Sequence, residues 1–234
     1  MVSPPRTLKA LCLHSFRTNG KIFEVQMLAK KQLSVPHLDC AFSESAFVCG
    51  AADEIPSVVL EYFPVKKYGA YRQWWATPRD AAADDDDVEY VGFDAAIAQV
   101  SKELRSGNYD GLVGFSQGGA LAAAVVAKQL QGRADHPPLA WAWLQSAFVP
   151  RDSKARALFD NAAASSVDVL ISTHASDGAV DAARTRALCA TFSGASYVEF
   201  AGAQHSPARL DHRGGDANSD AVLEFFKRQT TRAS

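Results

Sequence analysis

No two cysteines in this chain stand in C-x-x-C spacing. The four that exist, Cys12, Cys40, Cys49 and Cys189, fall at unrelated intervals, three of them in or beside apolar runs. That pattern argues against a zinc site or a disulfide framework and for buried thiols in a reducing compartment. Lysine and arginine form no block, and the formal net charge is -2, so nothing draws the chain toward nucleic acid or an anionic membrane surface. Neither G-x-x-x-x-G-K-[ST] nor G-x-G-x-x-G occurs, which removes the common phosphate-cradling signatures. The apolar run that follows Arg6 stops at His14, too short for a signal-peptide core and far too short for a membrane span. The expectation is a soluble, cytoplasmic protein without metal or cofactor, acting on a small molecule; the oligomeric state is left open.

What is present is a chain of 234 residues with 47% apolar content, enough for one large domain over 1–234. Its organising stretch runs from Tyr109 to Lys128. The apolar run Leu112 to Phe115 reads as a buried strand that ends at Ser116, and Ala- and Val-rich helical sequence begins directly after Gln117, Gly118 and Gly119. Gly114 and Gly118 flank the serine as G-x-S-x-G, the spacing of a nucleophile elbow, in which the glycines relieve collisions where strand meets helix. Three fixed positions match by chance roughly once in ten chains of this size. The weight therefore falls on whether the remaining chain supplies a base and an acid.

Apolar strand-like runs alternate with helical periodicity along the chain. The strand-like runs are Thr7 to Leu13, Leu38 to Phe42, Leu112 to Phe115, Leu139 to Phe148, Val167 to Ser172 and Tyr197 to Phe200. Helices are expected from Ile22 to Leu33, Tyr90 to Leu104, the elbow onward, Lys154 to Ala164, Val180 to Leu188 and Ala221 to Lys227. This alternation predicts an α/β fold with a mainly parallel sheet of about six strands, helices on both faces, and the site at the carboxyl ends of the strands. From Phe47 to Val88 the periodicity dissolves into a Pro- and aromatic-rich insertion ending in the acidic run Asp84 to Asp87. The run reads as a solvated loop. The aromatics, Trp74 and Trp75 among them, read either as a small satellite core or as the wall and lid of an apolar pocket.

Past the strand ends stand His14-Ser15-Phe16, Ser116, Asp177 and His205. Their order, Ser then Asp then His, is that of the α/β-hydrolase triad. A serine hydroxyl needs an imidazole to take its proton, and the imidazole needs a carboxylate to hold its tautomer. His205, framed by Gly202 and Pro207, is the candidate base, with His174 and His212 as rivals; His37 and His136 read as surface residues. Asp177 is the candidate acid, ahead of Asp168, at the wrong end of its strand, and Asp181, in the next helix. The oxyanion hole is expected from the Gln117 amide and from the loop of Ser15 and Phe16.

Leu-Cys-Leu-His-Ser-Phe-Arg-Thr-Asn-Gly at 11–20, Tyr-Arg-Gln-Trp-Trp at 71–75 and Gly-Phe-Ser-Gln-Gly-Gly-Ala-Leu at 114–121, with the Asp177 and His205 loops, make this sequence similar to the FSH family of serine hydrolases. That family includes the ovarian-tumour-suppressor-locus esterases and fungal polyketide-releasing thioesterases. The resemblance implies a compact α/β-hydrolase with no large separate cap, acting on carboxylic esters or thioesters with an apolar acyl group and no cofactor. It carries the triad onto Ser116, Asp177 and His205, and the oxyanion loop onto Ser15 and Phe16. Two positions depart from the family's usual residues: Ser15 and Gln204 stand where glycine is usual. The segment Gly114 to Ala120 is also shared with acyl-protein thioesterases and related carboxylesterases, which form the neighbouring alternative. Two other readings are a non-catalytic ligand-binding protein on the same scaffold and a flavodoxin-like nucleotide binder.

Overall fold

The computed structural model describes residues 5–28, 35–50, 54–78, 87–160, 166–211 and 216–231. Strand β1 (Leu8–Leu13) is followed by α1 (Gly20–Leu28) and β2 (Leu38–Ser43). Two short helices, α2 (Ser57–Tyr62) and α3 (Val65–Tyr68), precede α4 (Phe93–Ser106). Then come β3 (Gly111–Phe115), α5 (Gln117–Leu130), β4 (Trp141–Gln145), α6 (Ser153–Arg156), β5 (Asp168–His174), α7 (Ala182–Thr191), β6 (Ser196–Phe200) and α8 (Ala217–Thr231).

All strand pairs are parallel, in the order β2-β1-β3-β4-β5-β6. Every residue of β3 and β4 is buried, as expected of strands covered on both faces, which read as continuous apolar runs. One face is covered by α4 and α5, whose Val100, Leu104 and Ala120 to Ala127 pack on Leu11, Leu112 and Leu144. On the other face Phe23 and Met27 of α1 and Val222 and Phe226 of α8 meet Val113, Trp141 and Trp143. The Phe226 ring stands edge-on to both tryptophans, at 5.2 and 5.5 Å. The small side chains of α5 let it lie against the sheet centre, where it brings the elbow to the middle of the strand-end edge.

Several elements differ from expectation. The fourth strand stops at Gln145 because Ser146 adopts φ 44° and turns the chain. In place of a helix from Lys154 to Ala164 there is only α6, capped by the Asp152 carboxylate on the Ala155 amide, then a 3-10 turn over Ala157–Phe159; residues 161–165 lie outside the described residues. The irregular insertion holds α2 and α3, each entered from a proline, Pro56 and Pro64, and each too short to show periodicity. Asp84 to Asp86, His212 and the expected end of the first helix at Leu33 also lie outside the described residues. Asp87 is described, and its carboxylate accepts the Ser153 amide.

Candidate active site

Ser116 joins β3 to α5 at φ 55° and ψ -117°, a conformation that side-chain-bearing residues rarely adopt. The bend is held by the Ser116 amide donating to the Gln145 carbonyl at 2.8 Å and by the Ala120 amide donating to the Ser116 carbonyl at 2.9 Å. Close approach demands the flanking glycines. A Cβ on Gly114 would stand 2.4 Å from the Gly118 carbonyl oxygen, and one on Gly118 would stand 2.3 Å from that of Leu13.

The other two side chains arrive on loops after β5 and β6 that are tied to each other. Ala175 and Ser176 donate their amides to the carbonyls of Phe200 and Gly202, both at 2.9 Å. The base loop is fixed a second time, by the Ala208 amide on the Gln145 side chain at the end of β4. His205 Nδ1 donates to Asp177, at 3.0 and 2.9 Å from its two oxygens, and Ser116 Oγ donates to His205 Nε2 at 3.0 Å. Burial pushes the Asp177 carboxyl pKa up, but the bonds from His205 and from the Val180 and Ala179 amides outweigh it. The net shift is downward, which keeps a carboxylate facing the imidazole.

The rival residues stand elsewhere. His174 is buried behind the pair with its ring tilted on Phe200, and Asp181 caps α7 through the Ala183 amide. Asp168 sits at the start of β5, bonded to Gln229.

The loop after β1 is braced from several sides. The Ser15 carbonyl accepts the His14 Nδ1 proton and the Thr18 hydroxyl, both at 2.8 Å, and the His14 carbonyl accepts the Trp74 indole proton at 2.8 Å. Burial lowers the His14 pKa to about 4. The ring is thus neutral, and its Nε2 accepts the Ser45 amide. Gln117 reaches from the elbow to the same brace: its Oε1 accepts the Trp74 amide and its Nε2 donates to the Trp75 carbonyl.

A cavity of about 950 Å³ opens beside Ser116 and His205, walled by Phe16, Val59, Phe63, Trp75 and Tyr90 among others. Ser15, Phe16 and Gln117 line it too. Of the tryptophan pair, Trp75 faces this cavity. Trp74 turns the other way, fully buried and stacked at 4.8 Å on the His14 ring, because neighbours along an extended segment alternate in direction. Its role as a brace, and that of the Gln117 side chain, carried no signal in the sequence beyond the presence of large or polar residues beside the motif.

The fold is that of the α/β-hydrolases, here with a serine, histidine and aspartate gathered at the carboxyl edge of the sheet. Residues 2–214 match the family described as Serine hydrolase (FSH1). The chain belongs to that family. It is 32% identical over 128 residues to "Probable esterase afoC" of Emericella nidulans, a match covering 52% of this chain and 43% of the relative. It is 28% identical over 235 residues to the esterase OVCA2 of Mus musculus, covering 94% of this chain and 96% of the relative. Against some of its curated relatives the chain thus spans about half their length. Among solved structures it superposes on Zea mays acyl-protein thioesterase 2 with a TM-score of 0.66 at 18% identity, over 98% of this chain and 96% of that one.

Proposed function

We propose that the protein hydrolyses carboxylic esters or thioesters of an apolar acyl group through an acyl-enzyme on Ser116. The observation that carries this reading is the unbroken line of hydrogen bonds from Ser116 Oγ through His205 to Asp177 at the mouth of an apolar cavity. His205 takes the hydroxyl proton as Oγ attacks the acyl carbonyl, then gives it to the departing alcohol or thiol. Water, deprotonated by the same imidazole, attacks the acyl-enzyme and releases the acid. Asp177 holds the Nδ1–H tautomer and balances the imidazolium charge.

The developing oxyanion is received by two backbone amides, those of Gln117 and Phe16. Gln117 opens α5, where the first amides have no partner within the helix. The bonds that hold the His14 and Ser15 carbonyls fix the peptide planes on the other side of the hole. Phe63 and Trp75 wall the acyl site, and α2 covers it as a lid. Free cysteines at all four positions accord with a cytoplasmic, reducing setting.

The test is Ser116→Ala on p-nitrophenyl acyl esters of graded chain length. Loss of turnover is expected, together with loss of labelling by a fluorophosphonate probe. Turnover surviving undiminished in the variant would reject the mechanism. Labelling of the unaltered protein without turnover would leave a ligand-binding protein on a hydrolase scaffold.

A further inference from the structure

The apolar cavity carries positive charge on its wall. Arg151, Arg184 and Arg209 all line it. Arg184 is half-buried in the first turn of α7, and its guanidinium lies over the Phe148 ring, 4.6 Å from the centroid, with Phe148 also part of the wall. Burial is the largest influence on this group and pushes its pKa down. Tyr90 opposes that shift, the charge of Arg151 adds to it, and Asp181 opposes it to a lesser degree. The amino end of a helix is itself positive, so the dipole of α7 adds to the cost of a cation there.

The usual remedy, an ion pair, is missing. Among the described residues no carboxylate stands within ion-pairing distance of Arg184. Asp181, the nearest acid in sequence, points an oxygen at the Ala183 amide. A half-buried cation held without a counter-charge lowers stability. Lying over an aromatic ring, it still presents a planar fork that matches a carboxylate or phosphate through two parallel hydrogen bonds.

We propose that Arg184, seated on Phe148, recognises an anionic group, carboxylate or phosphate, carried by the ester or thioester that Ser116 cleaves. The inference rests on the hydrolase reading above. The aromatic wall takes the hydrocarbon part of the substrate while Arg184 takes its charge, and Arg209 lines the same cavity. Two sources present that chemistry: a carboxylate at the far end of the acyl group, or the phosphates of a leaving thiol such as coenzyme A.

The experiment compares kcat/KM for p-nitrophenyl butyrate, the mono-p-nitrophenyl ester of glutaric acid, and butyryl-coenzyme A, in the unaltered enzyme and in Arg184→Gln. The ratio of an anionic substrate to the neutral ester is expected to fall about tenfold in the variant, mostly through KM, as for lost ground-state binding. The anionic substrate that loses its advantage identifies the source. Arg184→Lys, which keeps the charge but not the fork, is expected to give an intermediate ratio, and it decides the matter if the glutamine variant does not fold. Ratios that stay within about twofold for both anionic substrates, with the neutral ester still hydrolysed, overturn the inference and leave the hydrolase reading intact. Absence of turnover on all three by the unaltered enzyme rejects both.

Discussion

Gly118 is where the elbow has no room. A Cβ there would stand 2.3 Å from the Leu13 carbonyl oxygen and 2.4 Å from that of His14, whereas ordinary contact begins near 3.4 Å. The obstacles are backbone atoms, so no rotamer change relieves them, and Gly118→Ala must part the start of α5 from the end of β1 by about 1 Å. Overpacking of this kind costs about 1–3 kcal/mol. The parting also displaces the two sides of the proposed oxyanion hole, because Gln117 precedes Gly118 and His14 opens the loop that carries Phe16. Misplacing aligned reacting groups by about 1 Å costs on the order of 100-fold in rate. Urea unfolding should therefore report a loss of about 2 kcal/mol, and p-nitrophenyl butyrate turnover should report a drop in kcat of about two orders of magnitude with a smaller change in KM. The comparison is Gly178→Ala, where no atom lies within 4 Å of the added carbon; stability there should move by less than about 0.5 kcal/mol. A Gly118→Ala protein with the parent urea midpoint and kcat within about twofold would refute both the packing argument and the oxyanion role assigned to this junction.

In Asp177→Asn, Oδ1 still accepts the Ala179 and Val180 amides, so the new NH2 faces His205 Nδ1 and drives the imidazole proton onto Nε2. The base is then occupied, and kcat should fall about 10⁴-fold, by analogy with the same change in the serine-protease triad; steady-state kinetics with a loss under about tenfold would contradict the tautomer argument. His14 gives a pH signature: its pKa falls from about 6.5 unfolded to about 4 folded, so its neutral burial is fully stabilising above pH about 6.5 and is lost as pH falls toward 4. Urea midpoints should show about 2 kcal/mol less stability at pH 5 than at pH 7.5, with a shallower slope in His14→Asn. Gln117→Leu strands the buried Trp74 amide and Trp75 carbonyl, at about 1–3 kcal/mol each. Thermal unfolding should register the loss, and its absence would mean that those groups find other partners.

The sheet was legible because parallel strands covered on both faces must be apolar throughout, and Leu112 to Phe115 or Val167 to Ser172 could hardly be anything else. The elbow was legible because steric demand fixes residue type: with backbone 2.3–2.4 Å from a Cβ, only glycine fits at 114 and 118. Ser116, Asp177 and His205 followed from the rule that strand ends share an edge. Hidden from view were contacts between segments far apart in sequence. Asn19-Gly20 marks a turn before the first helix, but the long-range tasks of Thr18, Asn19 and Gly20 leave no sign in the sequence. Yet Thr18 holds the Ser15 carbonyl, Asn19 caps α1 while donating to the Tyr68 and Ala70 carbonyls, and Gly20 lies where a Cβ would stand 2.8 Å from the Ser43 carbonyl oxygen. The short helices α2 and α3 escaped for a different reason: six and four residues complete too few turns to show a period.

Those long-range contacts change how the insertion is understood. Its first part, α2 and α3, has no buried residue and exposes Val58, Leu60, Tyr62 and Val65, the profile of an element held loosely against its surroundings. Its last part is the opposite. Tyr71, Gln73, Trp74 and Trp75 are buried, and through Trp74 Nε1 on His14 and the Gln117 side chain on both tryptophans this segment joins the two sides of the proposed oxyanion hole. On the proposed lid reading, the insertion supplies a loosely held wall and, a few residues on, a buried clamp. Changes at Val59 or Tyr62, which line the cavity, should then act on substrate binding and appear in KM, whereas changes at Trp74 should act on the position of the proposed oxyanion amides and appear in kcat. Measuring both constants for Tyr62→Ser and Trp74→Phe decides it, since loss confined to KM in the Trp74 variant would detach this segment from catalysis.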